Sequence, residues 1–439
     1  MNDYPQGDRP VPAWFKDAKF GIFVHWGAYS VPAWAEPTGA LGAVDPDLWF
    51  RHNPYAEWYW NSIRIEGSPA EEHHRTVHDG RPYDEFLDAW KAELFDPADW
   101  VDLFARAGAR YVIPTTKHHD GIALWDAPGT GTRNTVHRGP RRDLITDLAD
   151  AVRARGLRFG AYYSGGIDWY AGRRDPVLHE DRMDEGRPHE AAYAAYAHRQ
   201  VLDLIDRYRP EVLWNDMGWP GAGRADLPEL FSRYYAAVPE GVVNDRWDSA
   251  HADYLTSEYE ADRANERAAC WENCRGIGFS FGYNRAEGPE HRLDSAEAVR
   301  LLVDVVSRGG NLLLNVGPKA DGTLPQEQRA VLEGMASWMG RHAGAVHATR
   351  PLEPGAAEPQ DSDPWVRWTR DARYVYAFVA DAGNAQFVLR THQGLLHPGT
   401  AERLDGRPID AVAGLDGVHV TTGGPVAHLP IVIRFAARY

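Results

Sequence analysis

The amino-acid sequence predicts an α/β fold: a (β/α)₈ TIM-like barrel followed by a small C-terminal antiparallel β-sandwich. Short apolar runs alternate with stretches of helical periodicity over residues 1–348. After a proline-rich stretch the hydrophobic period changes to two, which is typical of strands with one buried face. A doubly wound sheet is the alternative, but the glycine-rich nucleotide fingerprint of such sheets is missing after the first strand, where the sequence reads HWGAYS.

The barrel elements follow one another in a regular order. One helix is predicted to begin at Asp143 and to end at Gly156, and a second is predicted to end before Pro210. Further helices are predicted around 301–306 and over 325–341. About eight strands are expected, and the predicted ones are 20–26, 111–116, 157–164, 212–215, 242–244, 254–257 and 311–316.

Residues 349–364 separate the two predicted domains. This stretch holds four prolines and no hydrophobic periodicity, so we expect a linker between a barrel over 1–348 and a sandwich over 365–439. The predicted sandwich strands are 365–368, 373–379, 386–389 and 429–435.

Composition limits the class of protein. Lys and Arg number 47 against 63 Asp and Glu, a net charge of −16, which argues against binding to nucleic acid or to an anionic membrane surface. Hydrophobic residues make up 44%, enough for a large core. No apolar run approaches the ~20 residues of a membrane span, and no signal peptide is visible, so a soluble cytoplasmic protein is expected. Cys270 and Cys274, the only cysteines, are expected to be free thiols.

Polar and aromatic side chains recur where the predicted strands end. The chain has 17 Trp, 20 Tyr, 14 Phe and 19 His, and rings of this kind suit both packing and the recognition of polar ligands. Barrel enzymes place their catalytic groups at the carboxyl ends of strands, so these segments predict one common site. The strand-end segments are His25-Trp26, 117–120, Tyr163 with Asp168-Trp169, 214–216, 245–247 and Glu258-Tyr259.

Three functions are compatible with such a site. A metal-dependent hydrolase is disfavoured, because adjacent strand residues such as His118 and His119 point to opposite faces and cannot chelate one ion together. A non-catalytic sugar-binding protein would use the rings but would need no matched acids. A glycosidase needs two carboxyl groups across a sugar-sized gap. Spacing alone does not choose the pair, for which the available acids are Glu57, Asp120, Asp168, Asp216, Glu258 and Glu260.

Seven motifs occur in order along the predicted barrel. They are KFGIFVHWGAYSVPAW from Lys19, AEWYW from Ala56, TKHHDGIALWD from Thr116, YYSGGIDW from Tyr162, LWNDMGW from Leu213, VNDRW from Val243 and GFSFGYNR from Gly278. Together with NLLLNVGPKADG near the end of the barrel, they resemble the α-L-fucosidases of glycoside hydrolase family 29. The resemblance extends from about Trp14 to Lys319, and the C-terminal region fits that family's β-sandwich by position and pattern only.

The resemblance implies a retaining exo-α-L-fucosidase with an Asp nucleophile and a Glu acid/base. Asp216 occupies the position of the family's nucleophile, at the end of the fourth predicted strand. Glu258 matches the acid/base of close relatives, with Glu57 and Glu260 as alternatives because the sequence context of this residue varies. The non-catalytic binding protein remains the alternative from a different functional class.

The resemblance also implies a set of substrate contacts. His25, His118 and His119 correspond to residues that bind the sugar hydroxyls, and a strand's irregular end would allow both adjacent histidines to reach one sugar. Further implied contacts are Glu57, Trp58, Tyr163, Trp214 and Arg246, with Phe23, Tyr55, Trp214 and Phe281 around the C5 methyl group of fucose. The expected partner is a fucosylated oligosaccharide or glycoside, with no metal and no organic cofactor.

Overall fold

The barrel sheet contains eight parallel strands. The computed structural model describes residues 9–172, 175–260, 263–392 and 394–437. The strand order is β5-β4-β3-β2-β1-β8-β7-β6, the cyclic order of a (β/α)₈ barrel, with no hydrogen-bonded pairing between β5 and β6. The predicted fold class is therefore confirmed. The strands are β1 Phe20–Val24, β2 Tyr111–Lys117, β3 Arg158–Ser164, β4 Val212–Asp216, β5 Val242–Val243, β6 Leu255–Glu258, β7 Trp271–Gly276 and β8 Asn311–Val316.

Alternation along the strands divides the core into an inner and an outer part. On β1, Phe23 points into the barrel and Ile22 packs against the surrounding helices. On β4, Trp214 points inward and Leu213 outward, as the pleat of a strand requires. Strands that are buried on both faces read as continuous apolar runs, so the sequence locates them without revealing which residues face inward.

The surrounding helices begin and end at recognisable signals. The Asp143 side chain accepts a hydrogen bond from Thr146 N, and Gly156 follows the helix with φ 78°, as the sequence predicted. No helix in the described ranges is long and apolar enough to cross a membrane. The α-helices of those ranges are α1 Ala13–Ala18, α2 Pro46–Trp49, α3 Tyr59–Ser62, α4 Pro69–Val77, α5 Asp84–Ala89, α6 Pro97–Arg106, α7 Leu144–Ala154, α8 Trp169–Gly172, α9 Ala191–Tyr208, α10 Leu227–Ala237, α11 Ser295–Ser307 and α12 Gln326–Val346.

Strand β7 was missed by the sequence analysis. Its sequence, WENCRG, carries three polar side chains in six residues and shows no apolar run. Four of the first five residues are nevertheless buried, among them Glu272, which is fully enclosed. A strand with a polar side chain inside the barrel has lost the hydrophobic signal on which strand prediction depends.

The C-terminal region forms two antiparallel sheets with a shared core. The five-stranded sheet has the order β13-β16-β11-β10-β9, and the three-stranded sheet has the order β12-β15-β14. The sheets pack on each other through side chains that include Val366, Ile433, Leu389 and Val420. The strands are β9 Gln360–Asp361, β10 Trp365–Arg370, β11 Tyr374–Ala380, β12 Gln386–Leu389, β13 Glu402–Arg403, β14 Ile409–Ala413, β15 Val418–Thr422 and β16 Ile431–Ala436.

The five-stranded sheet also packs against the barrel helices. The Trp338 indole N–H on α12 donates to the Pro430 carbonyl at 2.7 Å, and the Trp338 ring lies 6.2 Å from that of Phe378. Part of the predicted linker belongs to this sheet, since β9 lies within 349–364 and Arg350 pairs with Arg370. Four strands of this region, β9 and β13 to β15, were not predicted.

Candidate active site

A cavity of about 410 Å³ opens at the carboxyl ends of the barrel strands. His25 follows β1, His118 follows β2, Asp216 ends β4 and Glu258 ends β6, so the barrel brings together side chains that are far apart in sequence. The cavity is lined by Phe23, His25, Leu41, Gly42, Val44, Pro46, Trp49, Phe50, Tyr55, Glu57, Trp58, His118, His119, Tyr162, Met183, Trp214, Asp216, Met217, Arg246, Glu258, Cys274 and Phe281.

One arginine joins two acidic side chains that line this cavity. Arg246 lies in the connection between β5 and β6, where the barrel sheet is not closed by hydrogen bonds. One terminal nitrogen of its guanidinium donates to Asp216 Oδ1 at 3.1 Å, and the other donates to Glu258 Oε2 at 2.9 Å. Its Nε donates to Thr256 Oγ1 at 3.0 Å, which fixes the plane of the guanidinium. Both carboxyl groups are therefore held to a single cation.

The pKa values of these two carboxyl groups shift in opposite directions. Burial alone would raise the pKa of Asp216, but Arg246, His119 and hydrogen bonding hold that pKa below its usual value. The Tyr162 hydroxyl and Met217 N donate to Asp216 at 2.8 and 2.9 Å. Burial raises the pKa of Glu258; Arg246 opposes this rise, and the nearby charge of Asp216 adds to it. The two shifts make Asp216 the stronger acid of the pair and Glu258 the weaker one.

Two histidines face the cavity with fixed tautomers. His25 Nδ1 lies 2.7 Å from the Asn315 side-chain oxygen, an acceptor, so Nδ1 carries the proton. His119 Nδ1 lies 2.7 Å from Ser164 Oγ, whose own hydroxyl donates to the Ile167 carbonyl, so Nδ1 again donates. Burial lowers the pKa of His25 to about 3 and that of His119 to about 4. Both rings are neutral at pH 7 and leave Nε2 as an acceptor for a ligand hydroxyl.

His118 and Glu57 complete the polar part of the cavity. His118 Nδ1 is buried, and it has no hydrogen-bond partner within the part of the chain that the structure describes. The Glu57 carboxylate accepts from Gly282 N at 2.7 Å, and burial raises the pKa of Glu57 to about 7. The neighbouring Trp58 ring meets that of His119 edge-on at 5.1 Å. These groups offer hydrogen bonds to several hydroxyls of one small, polar ligand.

Aromatic rings enclose one side of the same space. Phe23 lies 5.1 Å from Trp214 and 6.3 Å from Phe281, and Tyr55 lies 5.4 Å from Phe281, all measured between ring centroids. The Tyr162 ring stacks on Trp214 at 5.4 Å. Carboxyl groups, acceptor imidazoles and an apolar face therefore surround one cavity, which is the chemistry of a carbohydrate site.

Comparison with known proteins identifies the family. A model of the α-L-fucosidase family matches residues 2–344. The human tissue α-L-fucosidase is 33% identical over 410 residues, covering 89% of this chain and 78% of that protein, and a Dictyostelium discoideum α-L-fucosidase is 31% identical over 384 residues, covering 84% and 78%. A solved Thermotoga maritima α-fucosidase, bound to a mechanism-based inhibitor, superposes with a TM-score of 0.87 at 45% identity and covers 98% of this chain and 97% of that one.

The chain belongs to the α-L-fucosidase family, glycoside hydrolase family 29. Membership makes it a glycoside hydrolase. The resemblance found in the sequence motifs is confirmed, and the likeness extends over both the barrel and the C-terminal sheets.

Twelve of the thirteen site residues predicted for this fucosidase family member line the cavity, and Tyr163 does not. Tyr163 points to the outer face of β3, where its hydroxyl donates to Gln200 Oε1 at 2.8 Å and Lys117 Nζ lies 4.5 Å from its ring. Its neighbour Tyr162 faces the cavity and pairs with Trp214 across β3 and β4. The motif contains two adjacent tyrosines, both buried, and only the register of the strands distinguishes their faces.

Three of the acids considered from sequence lie away from the cavity. Asp120 accepts from Tyr83, Asp168 pairs with Lys117, and Glu260 is exposed and pairs with Arg263 at 2.6 Å. Within the described ranges, no three His, Cys, Asp or Glu side chains are grouped so that they could hold a metal ion. Both cysteines are free thiols, as predicted.

Several residues of the site were missed by the sequence analysis. Glu272 lies behind Trp214, whose indole N–H donates to it at 3.2 Å, and the Tyr111 hydroxyl donates to its other oxygen. Tyr162 could have been found only by fixing the register of β3. The apolar residues of 41–50 and Met183 lie outside the recognised motifs, and Met217 lies within LWNDMGW but was not predicted as a site residue.

Proposed function

We propose that this family member is a retaining exo-α-L-fucosidase in which Asp216 is the nucleophile and Glu258 the acid/base. The observation that carries the proposal is the arrangement around Arg246, which binds both carboxyl groups while their pKa values shift apart. Retaining glycosidases hold their two carboxyl groups roughly 5–5.5 Å apart, without room for an intervening water, and sharing one guanidinium favours such a short separation.

In the first step, Asp216 attacks the anomeric carbon of an α-L-fucoside. The bond from that carbon to the leaving oxygen breaks as Glu258 transfers its proton to that oxygen, and a β-fucosyl ester of Asp216 forms. In the second step Glu258, now ionised, removes a proton from water. The water oxygen attacks the same carbon, the ester bond breaks, and α-L-fucose is released.

Arg246 gives this cycle a constant electrostatic balance. Before the first step, the guanidinium faces one negative charge, on Asp216. In the ester state it again faces one negative charge, because Asp216 is esterified and Glu258 has given up its proton. The negative charge moves from one side of Arg246 to the other without leaving its hydrogen-bond reach, so little reorganisation is required.

The remaining cavity residues would bind the sugar. His25, His119 and Glu57 present acceptors to the ring hydroxyls, and the rings of Phe23 and Phe281 suit the C5 methyl group. Burying one methyl contributes only about 1 kcal/mol, so hydrogen bonds set the orientation and the methyl pocket refines specificity. The T. maritima relatives solved with fucose and with a mechanism-based inhibitor support this assignment of the substrate class.

Turnover of a chromogenic aryl α-L-fucoside tests the proposal. We expect the wild type to be active and Asp216→Gly to lose activity by on the order of 10³-fold or more. Azide should restore release of the phenol from Asp216→Gly and yield β-fucosyl azide, because it attacks from the face that the carboxylate occupied. Glu260→Gln serves as the control, since this exposed acid lies outside the cavity. An inactive wild type, or an Asp216→Gly variant with full activity, would overturn the proposal.

A further inference from the structure

The outer part of the cavity differs in chemistry from the inner part. Five half-exposed apolar side chains line it, and together they are called the outer wall: Leu41, Val44, Trp49, Met183 and Met217. None carries a charge or a hydroxyl, and the Trp49 indole N–H is the one hydrogen-bonding group among these five side chains. Partly exposed apolar surface in a cavity is typical of a place where an apolar ligand group binds.

The outer wall lies on the side of the cavity where the leaving group departs. The Trp49 ring meets that of Tyr55 edge-on at 5.1 Å, and the Tyr55 hydroxyl donates to Glu258 Oε1 at 2.9 Å. The Leu41 carbonyl also accepts from Glu260 N, two residues beyond Glu258. An oxygen that takes a proton from Glu258 must lie within hydrogen-bond reach of it, so the group attached to that oxygen extends towards Leu41 and Trp49.

Met217 bounds the same space from the side of the nucleophile. It directly follows Asp216, and its backbone adopts a left-handed conformation with φ 62°. Its N–H donates to Asp216 Oδ1, so the position of this residue is coupled to that of the carboxylate. The outer wall is thus attached to the catalytic carboxyl groups on both sides, through Tyr55 to Glu258 and through the backbone to Asp216.

We propose that the outer wall is a binding subsite for the leaving group, and that it takes an aglycone with a flat apolar face, of which an aryl group is the simplest case. The inference rests on the proposed function, since it assigns Glu258 the proton transfer. A polar sugar placed here would give up hydrogen bonds to water and find few partners on these side chains, whereas an aromatic face gains by leaving water. A ring against Trp49 would also gain from offset or edge-on stacking.

Two substrates with the same fucosyl group but different leaving groups distinguish binding of the leaving group from the bond-breaking step. A 4-nitrophenyl α-L-fucoside fills it, whereas α-L-fucosyl fluoride has a leaving group too small to reach the outer wall. For Trp49→Ala we expect kcat/KM on the aryl fucoside to fall about tenfold more than kcat/KM on the fluoride. Leu41→Asn, a polar change of similar size, should show the same selectivity. Leu48→Ala is the matched control, since Leu48 is 50% exposed on the same segment and does not line the cavity.

Each outcome has a distinct meaning. Equal losses of kcat/KM on both substrates would overturn the proposed subsite, because Trp49 would then affect only the binding of the fucosyl group or the position of Tyr55. A loss on an α-L-fucosyl-galactose disaccharide as large as that on the aryl fucoside would overturn its apolar character. If the wild type hydrolyses neither the fluoride nor the aryl fucoside, the proposed function itself fails, and the subsite fails with it.

Discussion

Two buried clusters of cations and carboxylates lie on opposite faces of the barrel wall, and they differ in their ratio of charges. The Arg246 cluster comprises Arg246, Asp216 and Glu258 and faces the cavity. The Lys117 cluster comprises Lys117 and Asp168, which pair at 2.9 Å on the outer face with side chains that are 0% and 1% exposed.

The difference in ratio separates a reactive arrangement from a structural one. In the Lys117 cluster one cation meets one carboxylate, so the two charges balance within the pair. In the Arg246 cluster one cation serves two acids whose pKa values shift in opposite directions, which is what the proposed acid/base role of Glu258 requires. Asp168 instead stabilises the first turn of α8, because its Oδ1 accepts hydrogen bonds from Tyr170 N and Ala171 N.

The largest effect is expected in the Arg246 cluster, from Glu258→Ala. On fucosides with a poor leaving group, kcat/KM should fall about 10²- to 10⁴-fold, because only these substrates need the proton. On an aryl fucoside with a good leaving group the loss in the first step should be far smaller. Steady-state kinetics across a series of leaving groups would measure the difference. Equal losses on all substrates would remove the acid/base role from Glu258 and transfer it to Glu57, the other carboxyl group of raised pKa in the cavity.

A comparable effect, on stability and not on chemistry, is expected in the Lys117 cluster. Asp168→Asn leaves the Lys117 ammonium buried without its counter-charge and should lower the free energy of unfolding by about 3–5 kcal/mol. Asp102→Asn removes the exposed carboxylate that Arg106 and Arg155 share and should cost no more than about 1 kcal/mol. Urea denaturation of the two variants gives both values. Similar small losses for both would mean that the Lys117 cluster contributes nothing beyond a surface ion pair.

Glu272 provides a smaller and pH-dependent test of a buried carboxyl group outside both clusters. Burial raises its pKa from 4.5 to about 7 in the folded protein. Its contribution to stability is therefore fully present below about pH 4.5 and is lost as the pH rises through about 7, by at most on the order of 3 kcal/mol. Glu272→Gln should reduce the fall in unfolding free energy between pH 5 and 7.5, whereas exposed Glu85→Gln should not. An unchanged fall in the Glu272 variant would contradict the shifted pKa.

The sequence predicted the barrel and the inner part of the cavity because both depend on local patterns. Asp216 and Glu258 each end a strand, and a parallel barrel brings all such ends to one mouth whatever lies between them. The apolar runs that mark these strands are visible without a structure. The same runs are buried on both faces, which is why the inward residue of the Tyr162-Tyr163 pair was assigned wrongly.

The remainder depended on contacts that no local pattern encodes. β7 was missed because Glu272 interrupts its apolar character, and that carboxyl group is tolerated only because Tyr111 and Trp214 donate to it from other strands. The outer wall was missed because four of its five residues lie outside the recognised motifs, and the fifth, Met217, lies within one but carries no polar group that would mark it. A partly exposed apolar residue is common on a protein surface, and only the structure shows that Leu41 and Trp49 border the same cavity.

The most direct test of the central claim is to trap the ester on Asp216. A 2-deoxy-2-fluoro-α-L-fucosyl fluoride should form the ester with release of fluoride and then hydrolyse slowly, because the fluorine at C2 destabilises the positively charged transition states. Peptide mass spectrometry of the inactivated protein is predicted to find one fluorofucosyl group per chain, on the peptide that contains Asp216. A label on Glu57 or Glu258, or continued turnover without any label, would contradict the account.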